Sequence, residues 1–315
     1  MRPVAFLGPS GTFTEEALLS QADLAAAGRA PLASIPDVVA AVERGDHDLG
    51  MVPIENSIEG SVAITLDTLA FESELLIQRE VDLPISLNLF VKPGTGLDDV
   101  KTVLSYPHAI AQCRQWLNRK LPGVNVVAAN STAEAAQRVS RSKRSDQAAI
   151  GNALAAELYG LDTLASDIED HPENQTRFVV VGRGVPAPTG HDRTSIVCFQ
   201  RHDRPGSLLG ILQEFAARSL NLTKVESRPT KQSLGDYCFF VDFEGHVSDE
   251  LVADCLRAVQ ATKAGVKFLG SYPVAGQEAH ARRHAATRAW RDAGRWIDAL
   301  RAQVRPPGAE GDEPA

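Results

Sequence analysis

The chain has 315 residues, a formal net charge of -8 and 43% apolar residues, which suits two or three domains with substantial cores and argues against a general nucleic-acid binder, whose surface would be basic. No run of about 18 apolar residues occurs, so no membrane-spanning helix is expected. The start carries no charged segment followed by an apolar one, so no secretory leader is expected either, and a cytoplasmic location follows.

In chain order, residues 1–182 alternate short apolar strands with helical patterns. The expected strands are Val4–Leu7, Leu49–Ile54, Leu87–Val91, Thr102–Leu104, Asn125–Ala128, Ala148–Ile150 and Phe178–Val181. The expected helices are Thr14–Ala27, Pro36–Glu43, Val62–Phe71, Ala109–Leu121, Thr132–Arg141 and Ala153–Leu158. Such alternation reads as an α/β domain with a largely parallel sheet. Its long middle excursion suggests two lobes around a cleft, one at about 1–79 and 166–182, the other at about 80–165. Residues 183–192, rich in Gly and Pro, read as a linker. Residues 193–273 read as β-α-β-β-α-β, a ferredoxin-like split βαβ, with Gly235 available for a positive-φ turn.

In the tail, 274–315, residues 279–305 hold seven Arg and two acidic residues, and Ala286, Trp290, Ala293, Ile297, Leu300 and Val304 form a seam spaced 4-3-4-3-4. That predicts a docking helix that Trp290 and Trp296 help anchor on the body or on a partner subunit, ended by Pro306-Pro307, with 308–315 disordered. The cysteines Cys113, Cys198, Cys238 and Cys255 form no C-x-x-C pair and fit buried thiols better than a disulfide framework or a zinc site.

The first domain repeats one device: a strand ends, a small polar turn follows and a helix begins. Two of these junctions carry capping boxes, Thr12-x-x-Glu15 and Ser131-x-x-Glu134. Helix N-termini offer unpaired N–H groups at a positive dipole end, so several converging on one edge make an anion-friendly cleft. The Gly8–Thr12 turn has neither P-loop nor G-x-G-x-x-G spacing, so no nucleotide is indicated. Ser57 and Ser61 lack a nucleophile-elbow context. His108 and His171 are isolated, and the turn between Glu55 and Glu59 leaves a paired acid–base role unsecured. The residues alone do not name a reaction.

Gly8-Pro9-Ser10-Gly11-Thr12-Phe13-Thr14, Val52-Pro53-Ile54-Glu55-Asn56-Ser57-Ile58-Glu59-Gly60-Ser61-Val62 and Asn174-Gln175-Thr176-Arg177-Phe178 together resemble the prephenate dehydratase family over roughly residues 1–273. Ser105-Tyr106-Pro107-His108-Ala109 with Gln112-Cys113 resembles a further family segment, from which Tyr106 and His108 depart. The resemblance implies a two-lobed, periplasmic-binding-protein-like catalytic domain. The implied substrate is prephenate, a dianion that loses carbon dioxide and water as its ring becomes aromatic, with no cofactor or metal. It implies that Thr176 is catalytic. It also implies that Asn56, Ser57, Ser105 and Gln112 are polar contacts, and that N–H groups around Thr12, Phe13, Thr14 and Thr132, with Arg177 and Phe178, serve the substrate. Arg177 reads equally well as a structural ion pair.

The second domain resembles an ACT domain, through Asp192-Arg193-Thr194-Ser195, Arg204-Pro205-Gly206-Ser207-Leu208-Leu209 and Glu226-Ser227-Arg228-Pro229. L-Phenylalanine is the implied allosteric effector, with Gly206, Ser207, Leu208, Leu209, Asn221, Leu222, Glu226, Ser227 and Arg228 as its site. A homodimer or homotetramer is implied too. No chorismate mutase helices precede residue 1, so a monofunctional enzyme is expected. Arogenate is a rival substrate, and a non-catalytic carboxylate sensor is a rival of another class.

Overall fold

The computed structural model describes residues 2–200, 204–231, 233, 235–275 and 295–303. The chain divides into two compact units, Met1–Pro186 and Ala187–Ala315.

The first unit opens with β1 (Val4–Leu7), α1 (Phe13–Leu19), α2 (Ala22–Ala26), β2 (Arg29–Leu32), α3 (Ile35–Glu43), β3 (Leu49–Asn56), β4 (Gly60–Ser61), α4 (Ala63–Asp67) and β5 (Leu76–Pro84). It continues with β6 (Asn88–Val91), β7 (Thr102–Ser105), α5 (Pro107–Gln112), α6 (Arg114–Lys120), β8 (Asn125–Ala128), α7 (Thr132–Arg141), β9 (Gln147–Gly151), α8 (Ala153–Tyr159) and β10 (Asp162–Ala165), and returns through β11 (Gln175–Gly182). Two sheets result, ordered β2-β1-β3-β11-β5, with β4 on β3, and β10-β6-β9-β7-β8. One sheet per lobe, with the chain crossing out and back once, is the expected two-lobed, periplasmic-binding-protein-like plan.

The crossings lie side by side: Ile85 N–H donates to Asn174 O at 2.8 Å and Ile168 N–H to Leu87 O at 2.8 Å. The first sheet runs to Pro84 rather than stopping near residue 79, because β5 pairs with β11 along its whole length. Neither sheet is largely parallel. β1, β2 and β3 are parallel, but the returning β11 is antiparallel to both β3 and β5. In the second sheet β7, β8 and β9 are parallel, while β6 runs against β9.

Three expected helices are shorter than their apolar periodicity. The first breaks at Ser20–Gln21 into α1 and α2. The second breaks at Cys113, whose φ of -110° and ψ of 11° lie outside the helical basin. The third passes into a π-turn at Thr68–Glu72. Strands β2 and β5 had no apolar run to announce them. β2 is an edge strand carrying Pro31, the place where a missing N–H does least harm. β5 carries Arg79, Glu80 and Asp82, and its Glu80 is buried against Arg177.

The second unit runs β12 (Asp192–Gln200), α9 (Ser207–Ala216), β13 (Leu222–Pro229), β14 (Tyr237–Glu244), α10 (Glu250–Thr262) and β15 (Ala264–Pro273). Its antiparallel sheet is ordered β13-β14-β12-β15, the expected βαββαβ arrangement. Ile211 and Phe215 of α9 and Val252, Cys255 and Val259 of α10 share one core with Ile196, Phe239, Val241 and Phe243 of the sheet. Gly235 supplies a positive φ of 99° in the β13–β14 connection.

All four cysteines are buried, and none is in a disulfide. Burial pushes the Cys198 and Cys255 thiols up to about 12 and raises Cys113 too. No helix among the described residues is long and apolar enough to cross a membrane. Of the tail, residues 295–301 are helical, and Trp296 is 62% exposed within the single chain. Ala286, Trp290, Ala293, Val304 and residues 308–315 lie outside the described residues.

Candidate active site

The antiparallel register of β3 and β11 brings two distant motifs together: Thr176 lies opposite Asn56 and Arg177 opposite Glu55. The Asn56 amide nitrogen donates to Thr176 Oγ1 at 2.8 Å, to Asn174 Oδ1 at 2.8 Å and to Gln175 O at 3.1 Å. Its oxygen accepts from the Ile58 and Glu59 N–H groups at 2.9 and 3.0 Å. The Thr176 oxygen thus already accepts a hydrogen bond, and the hydroxyl proton is left to donate elsewhere.

Ser57 Oγ accepts from Gln175 N–H at 3.0 Å and donates to Asn174 Oδ1 at 3.4 Å. The second lobe reaches the same cluster from α5. Gln112 Oε1 accepts from Asn174 Nδ2 at 2.9 Å, and Gln112 Nε2 donates to Glu59 Oε1 at 3.3 Å. His108 Nδ1 meets Glu59 Oε2 at 2.7 Å, and its ring stacks on Tyr106 with centroids 5.2 Å apart. Asn56, Ser57, Gln112 and Thr176 therefore converge as expected. Asn174, although part of the motif, and Glu59, although weighed with Glu55, were given no role from the sequence, and the His108 pairing was not foreseen. Asn174 stands two positions before Thr176, where strand alternation would have placed it on the same face.

The other expected residues play different parts. Ser105 is fully buried, and its hydroxyl donates to Ile150 O at 2.7 Å, tying β7 to the end of β9. Phe178 is 2% exposed and belongs to the apolar core, because β11 is an interior strand whose two faces are both buried from Phe178 onward. The Arg177 guanidinium lies 2.7 Å from Glu55 and 3.4 Å from Glu80, with its side chain only 13% exposed. It is held in a cross-strand ion pair, one of the two readings that the sequence left open.

Thr12 caps α1: its hydroxyl accepts from Glu15 N–H at 3.4 Å and donates to Leu7 O at 3.0 Å. Glu15 returns to Gly11 N–H at 2.6 Å. Ser131 caps α7 in the same way, with Glu134 returning to Asn130 N–H. In both junctions the protein's own carboxylate occupies the N–H just before the cap. The Phe13, Thr14 and Thr132 N–H groups are not used by these caps. Thr14 and Thr132 are buried, and Phe13 packs against the core.

The lobes also touch at α8. Tyr159 donates to Ser10 O at 2.7 Å and Asn152 Nδ2 to Glu16 Oε2 at 2.7 Å. Gly11, at φ +91°, lies flush against this helix: a Cβ there would come within 3.3 Å of Ala155 Cα. Burial raises the Glu16 carboxyl, and the Asn152 amide partly offsets it. A hollow of about 360 Å³ lined by Leu104, Gln137, Arg138, Arg141, Ser142 and Gln147 contains none of the cleft residues. No cluster of metal-ligating side chains occurs among the described residues.

In the second unit, Glu226 of β13 lies 3.3 Å from Lys224 and 3.6 Å from Arg228. Ser207 Oγ donates to Arg204 O at 2.8 Å, and Gly206 caps α9 with φ 85°. Asn221 Nδ2 donates to Glu244 at 3.1 Å. Leu208 and Leu222 pack against the core, whereas Leu209 is 58% exposed. Ser227 is exposed on the edge strand.

The prephenate dehydratase family pattern matches residues 4–185 and the ACT domain pattern residues 194–261. A prephenate dehydratase of Mycolicibacterium vanbaalenii is 47% identical over 288 residues, spanning 87% of this chain and 91% of the relative. One from Mycobacterium tuberculosis is 43% identical over 312 residues, spanning 95% and 94%. Among solved structures, a prephenate dehydratase from Arthrobacter aurescens in complex with L-Phe superposes with a TM-score of 0.87 at 41% identity, covering 94% of this chain and 98% of that one.

Proposed function

The chain belongs to the prephenate dehydratase family, and from that premise we propose how its own residues carry the reaction, the decarboxylative dehydration of prephenate to phenylpyruvate on the way to phenylalanine. It is a lyase. In the reaction the ring carbon–carboxylate bond breaks and leaves its electron pair in the ring. The ring C–O bond breaks at the far side, and the departing oxygen takes a proton and leaves as water. Aromatisation supplies the driving force, so the protein's task is to align the carboxylate with the π system and to assist the leaving hydroxyl.

Thr176 is the group that assists it. The observation that carries this assignment is the Asn56 amide donating to Thr176 Oγ1 at 2.8 Å, which directs the hydroxyl proton outward and makes it a better donor. Ser57 and Gln112 are the polar contacts beside it. With Arg177 committed to Glu55 and Glu80, the substrate's carboxylates fall to backbone N–H groups at Phe13, Thr14 and Thr132.

L-Phenylalanine regulates this cleft from the ACT domain. Glu226 between Lys224 and Arg228 suits a zwitterion: a carboxylate for its ammonium group and a guanidinium for its carboxylate. Gly206–Leu209, Asn221, Leu222 and Ser227 complete the proposed effector site. The protein acts in the cytoplasm, a location that its four thiols fit, and as a homodimer or homotetramer. The sheet edges β13 and β15 offer backbone groups to a second copy.

Phenylpyruvate formation from prephenate, followed with and without phenylalanine, tests the reading. Formation suppressed by phenylalanine is expected. Formation without suppression would remove the effector assignment, and turnover of arogenate alone would change the substrate.

A further inference from the structure

Six side chains make one unbroken line of hydrogen bonds: Thr176, Asn56, Asn174, Gln112, Glu59 and His108. Each amide in that line has only one workable orientation. An ionised Glu59 only accepts, so Gln112 turns its nitrogen to Glu59 and its oxygen to Asn174. Asn174 must then turn its nitrogen to Gln112, leaving its oxygen for Asn56 Nδ2 at 2.8 Å and Ser57 Oγ at 3.4 Å. Asn56 presents its nitrogen to Thr176, since its oxygen is held by two backbone N–H groups. Asn174 is 1% exposed, so an unmet donor or acceptor there is strongly penalised.

We propose that Asn174 is a positioning residue: the Ile58 and Glu59 N–H groups orient the Asn56 amide at one end of the line, the Glu59 carboxylate orients Gln112 at the other, and Asn174 joins the two so that Asn56 is held firmly with the Thr176 hydroxyl as a donor toward the cleft. The line also spans the lobes. Gln112 and His108 belong to α5 of the second lobe, while Asn56, Glu59 and Thr176 belong to the first. The line is therefore complete only when the lobes meet. This proposal rests on the reading of Thr176 as the group that assists the leaving hydroxyl.

The test exchanges donor and acceptor along the line. Asn174→Asp can still accept from Asn56 but cannot donate to Gln112. If Gln112 turns to donate to it, its oxygen then faces Glu59 oxygen to oxygen. Glu59→Gln supplies the missing donor to that turned Gln112 while keeping an oxygen for His108. The expected result is a kcat lowered about tenfold or more in Asn174→Asp, with KM little changed. The double variant Glu59→Gln/Asn174→Asp should recover most of that loss. A packing role for Asn174 predicts no recovery.

Wild-type turnover by Asn174→Asp, or a double variant as slow as the single one, overturns the proposal. Should Asn174→Asp fail to fold, Gln112→Glu and Glu59→Gln/Gln112→Glu ask the same question with the same two outcomes, from a half-buried position. Thr176→Ala is measured alongside. Full activity there removes the Thr176 reading itself, whereas a slow Thr176→Ala with no recovery in the double variant removes the amide line alone.

Discussion

A threonine hydroxyl is a very weak acid, so at Thr176 its use lies in hydrogen-bond donation rather than ionisation. Removing one donor aimed at developing charge costs about 3–4 kcal/mol of barrier, so Thr176→Ala should turn over roughly two to three decades more slowly with its fold intact. Unchanged kcat in a well-folded Thr176→Ala would count decisively against the assignment. Glu16 gives a residue-scale prediction of another kind. Its carboxyl is raised by burial, so its contribution to stability is full below the unfolded carboxylate value and is lost as pH rises through the folded one. Glu16→Gln keeps an acceptor for Asn152 and carries no charge. It should therefore melt higher than wild type at about pH 8, an advantage that fades by about pH 4. A Tm difference independent of pH would rule out the buried charge as its source. Thr176, Asn56, Ser57 and Gln112 were legible in the sequence as one cluster because their motifs are specific. Ser105 was not legible in its actual part, and for Arg177 the ion pair was only one of two open readings, its partners unnamed. A motif names a side chain but not which neighbour takes its proton or its charge, and here those neighbours are Ile150 O, Glu55 and Glu80.

At the scale of elements, the close seating of α3 on the first sheet depends on Gly50 of β3. A Cβ there would lie 2.8 Å from Val38 Cγ1 and 3.1 Å from Val42 Cγ2. Gly50→Ala should destabilise the first unit by about 1–3 kcal/mol through overpacking, read as a lowered denaturation midpoint at unchanged m-value. A midpoint equal to wild type would mean that the helix shifts freely. The elements legible from sequence were those with uninterrupted apolar runs, such as β1, β3 and β11. β5 escaped notice because Arg79, Glu80 and Asp82 break its pattern. The interior charge that hides it is satisfied by Arg177, a partner 97 positions away in the chain, and no local window contains both. The helix breaks at Ser20 and Cys113 likewise interrupt patterns whose periodicity continues across them.

For the molecule as a whole, net charge of -8 offers a dianion no long-range attraction, so substrate selection rests on the short-range donors of the cleft. Regulation requires that phenylalanine bind two states of the protein with different affinity. Glu226→Ala or Ser227→Ala should blunt phenylalanine inhibition and leave uninhibited turnover near wild type, measured as the shift in the inhibition midpoint. Unchanged midpoints in both would move the effector site elsewhere. The α/β then βαββαβ order was legible from the rhythm of strands, helices and Gly-Pro breaks. The mixed strand directions were not, since apolar periodicity is the same for a strand run in either direction.

The four sequestered thiols described above should react little with maleimides at neutral pH, since burial withholds access at all four and thiolate at Cys113, Cys198 and Cys255. A fluorophore attached at one introduced surface cysteine on each lobe would meet little competing background. The native chain is in that sense already a labelling scaffold, on which opening and closing of the cleft can be followed by energy transfer without first stripping out its own cysteines.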